Sequence, residues 1–252
     1  MDKIRAIARR FKTLRIAAHI VLFLPRELSA WVEALVRHWP GALGFVIRRL
    51  YYRVRLKHVG RNVLISPGVR FFGHRYISIG DDTHVDLDCI ILAGLATLDE
   101  HEVRRLPNPY FTLSEGEVSI GRGVHVAPGC HISGHGGVQI GDYCGCTAGT
   151  RILSLTSHYA GFADGSRRVL FTTRVRSRRA YLIGPVVLEE NVGVALNSVL
   201  LPGAALRADS FVAIGSVVRG EVPPNTIVGG NPAVPLRPRF ARPGPDAERS
   251  GT

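Results

Sequence analysis

The chain has 252 residues, 46% of them hydrophobic and 21% charged, which suits a sizeable core and excludes wholesale disorder. Its 32 Lys and Arg against 20 Asp and Glu give a net charge of +12. That charge is local: residues 1–57 hold 13 basic and 3 acidic side chains, net +10, while residues 58–252 hold 19 and 17, net +2. A basic segment points to an anionic surface or ligand. No helix-turn-helix, zinc-finger or RNA-binding signature accompanies it, so nucleic acid is not an expected partner.

In chain order, the apolar run Ile16–Leu24 is nine residues long and contains His19, against the roughly 20 residues of a membrane span. Pro25-Arg26-Glu27 follows it, with no small-residue cleavage motif. The next apolar stretch, Leu28–Ile47, is broken by Glu33, Arg37 and Pro40-Gly41, so no segment here is expected to span a bilayer. Residues 1–57 read instead as two or three short amphipathic helices. Ile4, Ile7, Phe11 and Leu14 fall opposite Arg5, Arg9 and Lys12, and Leu28, Trp31 and Leu35 make a second stripe. Phe45–Arg53 then mixes aromatic, aliphatic and arginine side chains. Apolar stripes with Trp, Tyr and Arg at their borders describe helices lying in a membrane surface. Packing on the main domain or on a partner subunit is the alternative.

Residues 58–236 change texture and read in sixes. Ile79-Gly-Asp-Asp-Thr-His84 and Ile120-Gly-Arg-Gly-Val-His125 are two, Val126-Ala-Pro-Gly-Cys-His131 is a third, and five in-phase sixes run from Leu188 to Val217. An aliphatic residue opens each six, positions three and four carry turn residues, and position five is small or β-branched. Three such sixes make one triangular coil of a parallel β-helix. The predicted fold class is therefore mainly β, a parallel β-helix of hexapeptide repeats behind an N-terminal α-helical segment. Two insertions, 93–118 and 159–183, have no hexapeptide phase. The second carries Arg167, Arg168, Arg174, Arg176, Arg178 and Arg179 with Asp164 as its only acid. Residues 237–252 are Pro-rich and polar, and a disordered tail is expected there. Cys89, Cys130, Cys144 and Cys146 form no C-x-x-C pair and read as reduced, packed thiols of a cytosolic compartment.

Three segments carry a family resemblance: Ala213-Ile-Gly-Ser-Val-Val218, Val222-Pro-Pro-Asn-Thr-Ile-Val228 and Gly229-Gly-Asn-Pro-Ala233. Together they resemble the C-terminal signature of the hexapeptide-repeat acyltransferases, most closely the sugar O-acetyltransferase branch used in polysaccharide assembly. The resemblance covers residues 59–237 and is most specific over 186–233. It implies a left-handed coil, a homotrimer with its cleft between subunits, and transfer of an acyl group, usually acetyl, from coenzyme A. Acetyl-CoA, or another acyl-CoA, would be a donor substrate, with no permanently bound cofactor. The implied acceptor is a hydroxyl of a sugar or lipid-linked glycan, handled by a cytoplasmic protein peripheral to the inner face of the cell membrane. The alternatives are N-acylation of a nucleotide-linked amino sugar and a non-catalytic β-helix scaffold.

A hydroxyl attacks a thioester better when a base removes its proton, and imidazole suits that role near neutral pH. His158, in Leu155-Thr-Ser-His158-Tyr159, matches the family's catalytic histidine and is the expected base. By the same resemblance Arg219 and Arg237 would meet the nucleotide end of coenzyme A. Ala195, Ala213 and Gly215 would flank its pantetheine arm. His135, Arg174 and Arg176 are candidates for the acceptor. His125, His131 and His135 lie within eleven residues but lack the ligand spacing of the γ-class carbonic anhydrases, so no metal is expected. Two positions depart from the family: Gly193-Val-Ala195 replaces Trp-Ile-Gly, and Ala127 stands where small-sugar acetyltransferases place Asn.

Overall fold

The computed structural model describes residues 28–98, 102–162, 169–171 and 179–241. Among the described residues two helices, α1 (residues 28–38) and α2 (Gly41–Arg53), precede the strands, most of which stack into three parallel sheets. Sheet A runs from His58–Val59 through Ile77–Ile79, Val118–Ile120, Val138–Ile140, Val186–Leu188 and Ala205–Leu206 to Glu221–Val222. Sheet B runs from Leu64–Ile65 through His84–Val85, His125–Val126, Gly145–Cys146, Gly193–Val194 and Phe211–Val212 to Thr226–Gly230. Sheet C holds Arg70–Phe72, Ile90–Leu92, His131–Ser133, Arg151–Leu153, Val199–Leu200 and Val217–Val218. The chain visits A, B and C in turn, one strand per side, and so winds a triangular left-handed β-helix.

The six-residue pattern explains the coil. First positions, from Ile79, Val85 and Ile91 to Leu206, Val212 and Val218, all point inward and are buried. Fifth positions are buried too, and polar ones such as Thr83 and Ser198 bond locally, although Ser210 Oγ has no partner among the described residues. Thr83 Oγ1 donates to Gly121 O at 2.7 Å, and Ser198 Oγ to Ala213 O at 2.9 Å. The fourth position turns the corner with positive φ, at Asp82 (56°), Asn197 (55°) and Asp209 (62°) among others, which is why Asp, Asn and Gly collect there. The four cysteines are buried free thiols. Burial pushes the Cys144 thiol up to about 11 and raises that of Cys146 as well, so both stay protonated.

A solenoid must close its ends. In the ladder the Ser66 N–H donates to Val85 O and the Asp86 N–H to Val126 O, so each coil's carbonyl is served by the coil before it. Ile65 opens sheet B and has no preceding coil. Arg48, fully buried on α2, supplies the donor instead: Nε to Ile65 O at 2.7 Å and Nη1 to Trp39 O at 2.6 Å. Beside it Tyr52 donates to Glu33 at 3.3 Å, and His74 lies 3.5 Å from the same carboxylate. Burial pushes the Glu33 carboxyl up, but His74, Arg37 and Tyr52 outweigh it and hold it below its ordinary value. The cap is thus inverted. Its polar side faces the coil, while Leu28, Trp31, Leu35, Leu43, Val46 and Leu50 are exposed. No helix among the described residues is long and apolar enough to cross a membrane.

The other end is closed by a hairpin of Thr226–Gly230 and Ala233–Pro238. Residues 237–241, expected to begin a loose tail, continue this closure. Arg237 pairs with Ile227, Arg239 donates to Asn191 O, and the Phe240 N–H donates to Asn225 Oδ1. The two insertions also differ from the expectation of plain loops. Val103–Arg105 from the first pairs in parallel with Ala180–Ile183 from the second, which pairs antiparallel with Leu155–His158. The result is a small sheet outside the coil.

Candidate functional site

That side sheet holds His158 at the corner where the chain leaves sheet C for sheet A. A cleft of about 470 Å³ opens there, lined by His158, Thr156, Leu182, Leu201, Arg104 and Arg219 among others. His158 Nδ1 lies 2.9 Å from Ala160 O and 3.3 Å from the Ala160 N, so it can donate to the carbonyl or accept from the amide; in the first tautomer the Nε2 lone pair is free. Tyr159 and Phe162 hold the ring, with centroids at 4.3 and 4.6 Å. The Phe162 N–H in turn donates to the buried carboxylate of Glu102, brought in by the other insertion. Two guanidinium groups and an imidazole thus share one cleft, a charge set suited to phosphate oxygens beside a proton acceptor.

The residues read from the sequence as cofactor contacts divide between two corners. Ala195, Ala213 and Gly215 lie in the turns between sheets B and C, and Arg237 is exposed on the hairpin strand bordering sheet B. Arg219 lies instead between sheets C and A, on the His158 cleft. His135 occupies the same corner one coil earlier, half-buried, with Nδ1 2.9 Å from Gly94 O. Arg174 and Arg176 lie outside the described residues.

Two groups were not apparent from the sequence. Arg104 reaches the cleft from the first insertion, where the Arg104-Arg105 pair was its only signal. On sheet B, His84, Asp86 and His125 come together with Ser66. His125 therefore does not group with His131, which lies on sheet C, or with His135 at the next corner. The signal was the histidine in sixth place of two sixes, at 84 and 125.

No protein-family model matches the chain. The dTDP-4-amino-4,6-dideoxy-D-glucose acyltransferase of Escherichia coli is 28% identical over 184 residues, covering 73% of this chain and 82% of the relative. The chain's homologues are acyltransferases of the hexapeptide-repeat family. A shorter match, 45% identical over 49 residues, joins 19% of this chain to 21% of the 2,3,4,5-tetrahydropyridine-2,6-dicarboxylate N-acetyltransferase of Alkaliphilus metalliredigens. Among solved structures, a mutant of AntD, an N-acyltransferase from Bacillus cereus, shares the fold with a TM-score of 0.62. It is 19% identical, and the match covers 77% of this chain and 90% of AntD, which was solved with dTDP-4-amino-4,6-dideoxyglucose and coenzyme A.

Proposed function

We propose that the protein transfers an acyl group from coenzyme A to the amino group of a nucleotide-linked amino sugar. The observation that carries this reading is the Escherichia coli relative, which spans most of both chains and is named for such an acceptor. It favours the amine over the sugar hydroxyl suggested by the sequence motifs. In the step, the amine nitrogen attacks the thioester carbonyl, the C–N bond forms and the C–S bond breaks. His158 Nε2 accepts the amine proton and the departing coenzyme A sulfur takes one up. Arg104 and Arg219 hold phosphate groups at the cleft.

The division of the site supports a homotrimer. Ala213 and Gly215 flank one corner and His158 lies at another, an arrangement in which a second copy could bring pantetheine and base together. The exposed apolar side of α1 and α2, bordered by Arg49 and Arg53, supports a peripheral seat on anionic lipid at the inner membrane face. Flotation with anionic vesicles, lost in a Trp31→Glu/Leu35→Glu variant, is the expected behaviour. Unchanged flotation of that variant would overturn the membrane seat.

The decisive assay gives the full chain acetyl-CoA with either dTDP-4-amino-4,6-dideoxyglucose or the matching 4-hydroxy sugar, and follows free thiol and product mass. Amide formation is expected. Turnover only with the hydroxyl sugar would replace this reading by O-acylation, and thiol release with neither would favour a scaffold.

A further inference from the structure

Away from the His158 cleft, the outer face of sheet B carries the His84–Asp86–His125 cluster. His84 and His125 are direct partners on adjacent parallel strands, with rings 5.2 Å apart and only 15° from parallel. Val85 points inward, so Asp86 shares the outer face with His84. Asp86 Oδ1 lies 3.8 Å from His84 Nε2, and Oδ2 lies 3.5 Å from His125 Nε2. One donor atom from each of the three residues falls within 4.8 Å of the others.

The two Asp86–imidazole separations are long for hydrogen bonds, whose donor–acceptor distances run to about 3.2 Å, although His84 Nε2 also lies 3.0 Å from Ser66 Oγ, a contact that metal binding would replace. With the two stacked rings turned so that both Nε2 lone pairs converge, the three groups can gather round one ion: bonds of about 2.1 Å at tetrahedral angles put ligand atoms about 3.4 Å apart. The carboxylate is already aimed, because the Leu87 N–H donates to Oδ1 at 2.7 Å and Ser66 Oγ donates to it at 3.1 Å. Burial pushes the Asp86 carboxyl up, but the Leu87 N–H and its His125, His84 and Ser66 neighbours outweigh it and keep it below the usual range. The next two positions along the same column are Gly145 and Gly193, and a Cβ built at Gly145 would meet nothing within 4 Å. Space for a further ligand therefore remains on the open side.

We propose that His84, Asp86 and His125 bind one divalent transition-metal ion of borderline softness, such as Zn²⁺, with water in the remaining position. Two imidazoles and one carboxylate favour Zn²⁺ or Co²⁺ over Mg²⁺ and Ca²⁺, which prefer all-oxygen sites. The donors share only the sixth-place histidine of two sixes in the sequence, because stacking of successive coils and not local spacing brings residue 125 to residues 84 and 86. This inference does not depend on the acyl acceptor.

The test is Co²⁺ titration of chelator-treated full-length protein, read by visible ligand-field absorption. One equivalent should bind and be displaced by Zn²⁺ but not by Mg²⁺. Asp86→Asn and His125→Ala should each weaken Co²⁺ binding at least about a hundredfold, while His131→Ala leaves it unchanged. All three side chains point outward, so circular dichroism should confirm that the variants stay folded. Absence of ligand-field absorption in the wild type, or equal binding in folded Asp86→Asn and His125→Ala, would overturn the site and leave a hydrogen-bonded cluster.

Discussion

Replacing Arg48 by Met tests how the solenoid is closed. The substitution keeps an unbranched side chain but removes both donors, leaving Ile65 O and Trp39 O without their partner. An unsatisfied buried acceptor costs about 1–3 kcal/mol; buried Ile65 O bears that cost, whereas Trp39 O, on a residue 45% exposed, can turn to water. Against it stands the desolvation of a guanidinium that the solvent does not reach, worth several kcal/mol when no carboxylate pairs with it. That penalty is already partly offset, because Arg48 lies 5.0 Å from the centroid of the Phe45 ring. The carbonyl term should win by about 1 kcal/mol, which for a domain of this size lowers Tm by about 2–4 °C. Urea unfolding followed by circular dichroism measures it, with an unchanged m-value showing that the denatured state is the same. A variant as stable as the wild type, or more so, would show that the buried charge costs more than its two bonds return. Arg48 would then not be the end cap.

Three further outcomes follow from the geometry. His158→Ala should lower kcat about 10²- to 10⁴-fold with little change in melting, and a loss under threefold would remove His158 as the base. Arg219→Ala should instead raise KM for acyl-CoA about tenfold, the worth of one charge-assisted contact, and an unchanged KM in steady-state kinetics would remove that contact. Burial, and then Arg151 beside it, lower the His131 pKa; below an ordinary imidazole value of about 6.5 the unfolded chain takes up a proton that the folded chain resists. Stability should therefore fall from pH 7 towards pH 5, less steeply in His131→Gln, and equal slopes in urea titrations would refute the assignment.

The coil was legible because its rule is local. Ile79, Val85 and Ile91 recur every six residues, and Asp82 and Asp88 mark the corners where φ turns positive. His158 was singled out by a short motif, and it lines a cleft at the C–A corner. The side sheet that holds it was not, because pairing of Val103–Arg105 with Ala180–Ile183 depends on two insertions with no shared period. Arg104 and the Glu102 anchor of Phe162 were lost for the same reason. The cap was half legible. The stripe of Leu28, Trp31 and Leu35 is real, but periodicity could not tell which side meets the coil, and buried Arg48 and Glu33 reverse the usual choice.

Subunit mixing tests whether the site is shared between chains. Ala195 and Ala213 are stacked on successive coils at the B–C corner, and the Ala213 N–H donates into the ladder at Val228 O, so the path there is fixed backbone with small side chains. Ala213→Trp should block the pantetheine arm while leaving the His158 cleft intact. His158→Ala does the reverse. If each active site joins the corner of one subunit to the cleft of the next, both variants are inactive alone, yet co-assembled chains regain activity. Random assortment leaves about one interface in four with both halves intact, so about a quarter of wild-type turnover should return. Both variants must first prove trimeric by light scattering. If mixed trimers form and stay inactive, corner and cleft belong to the same chain, and the arm must reach His158 along a single subunit.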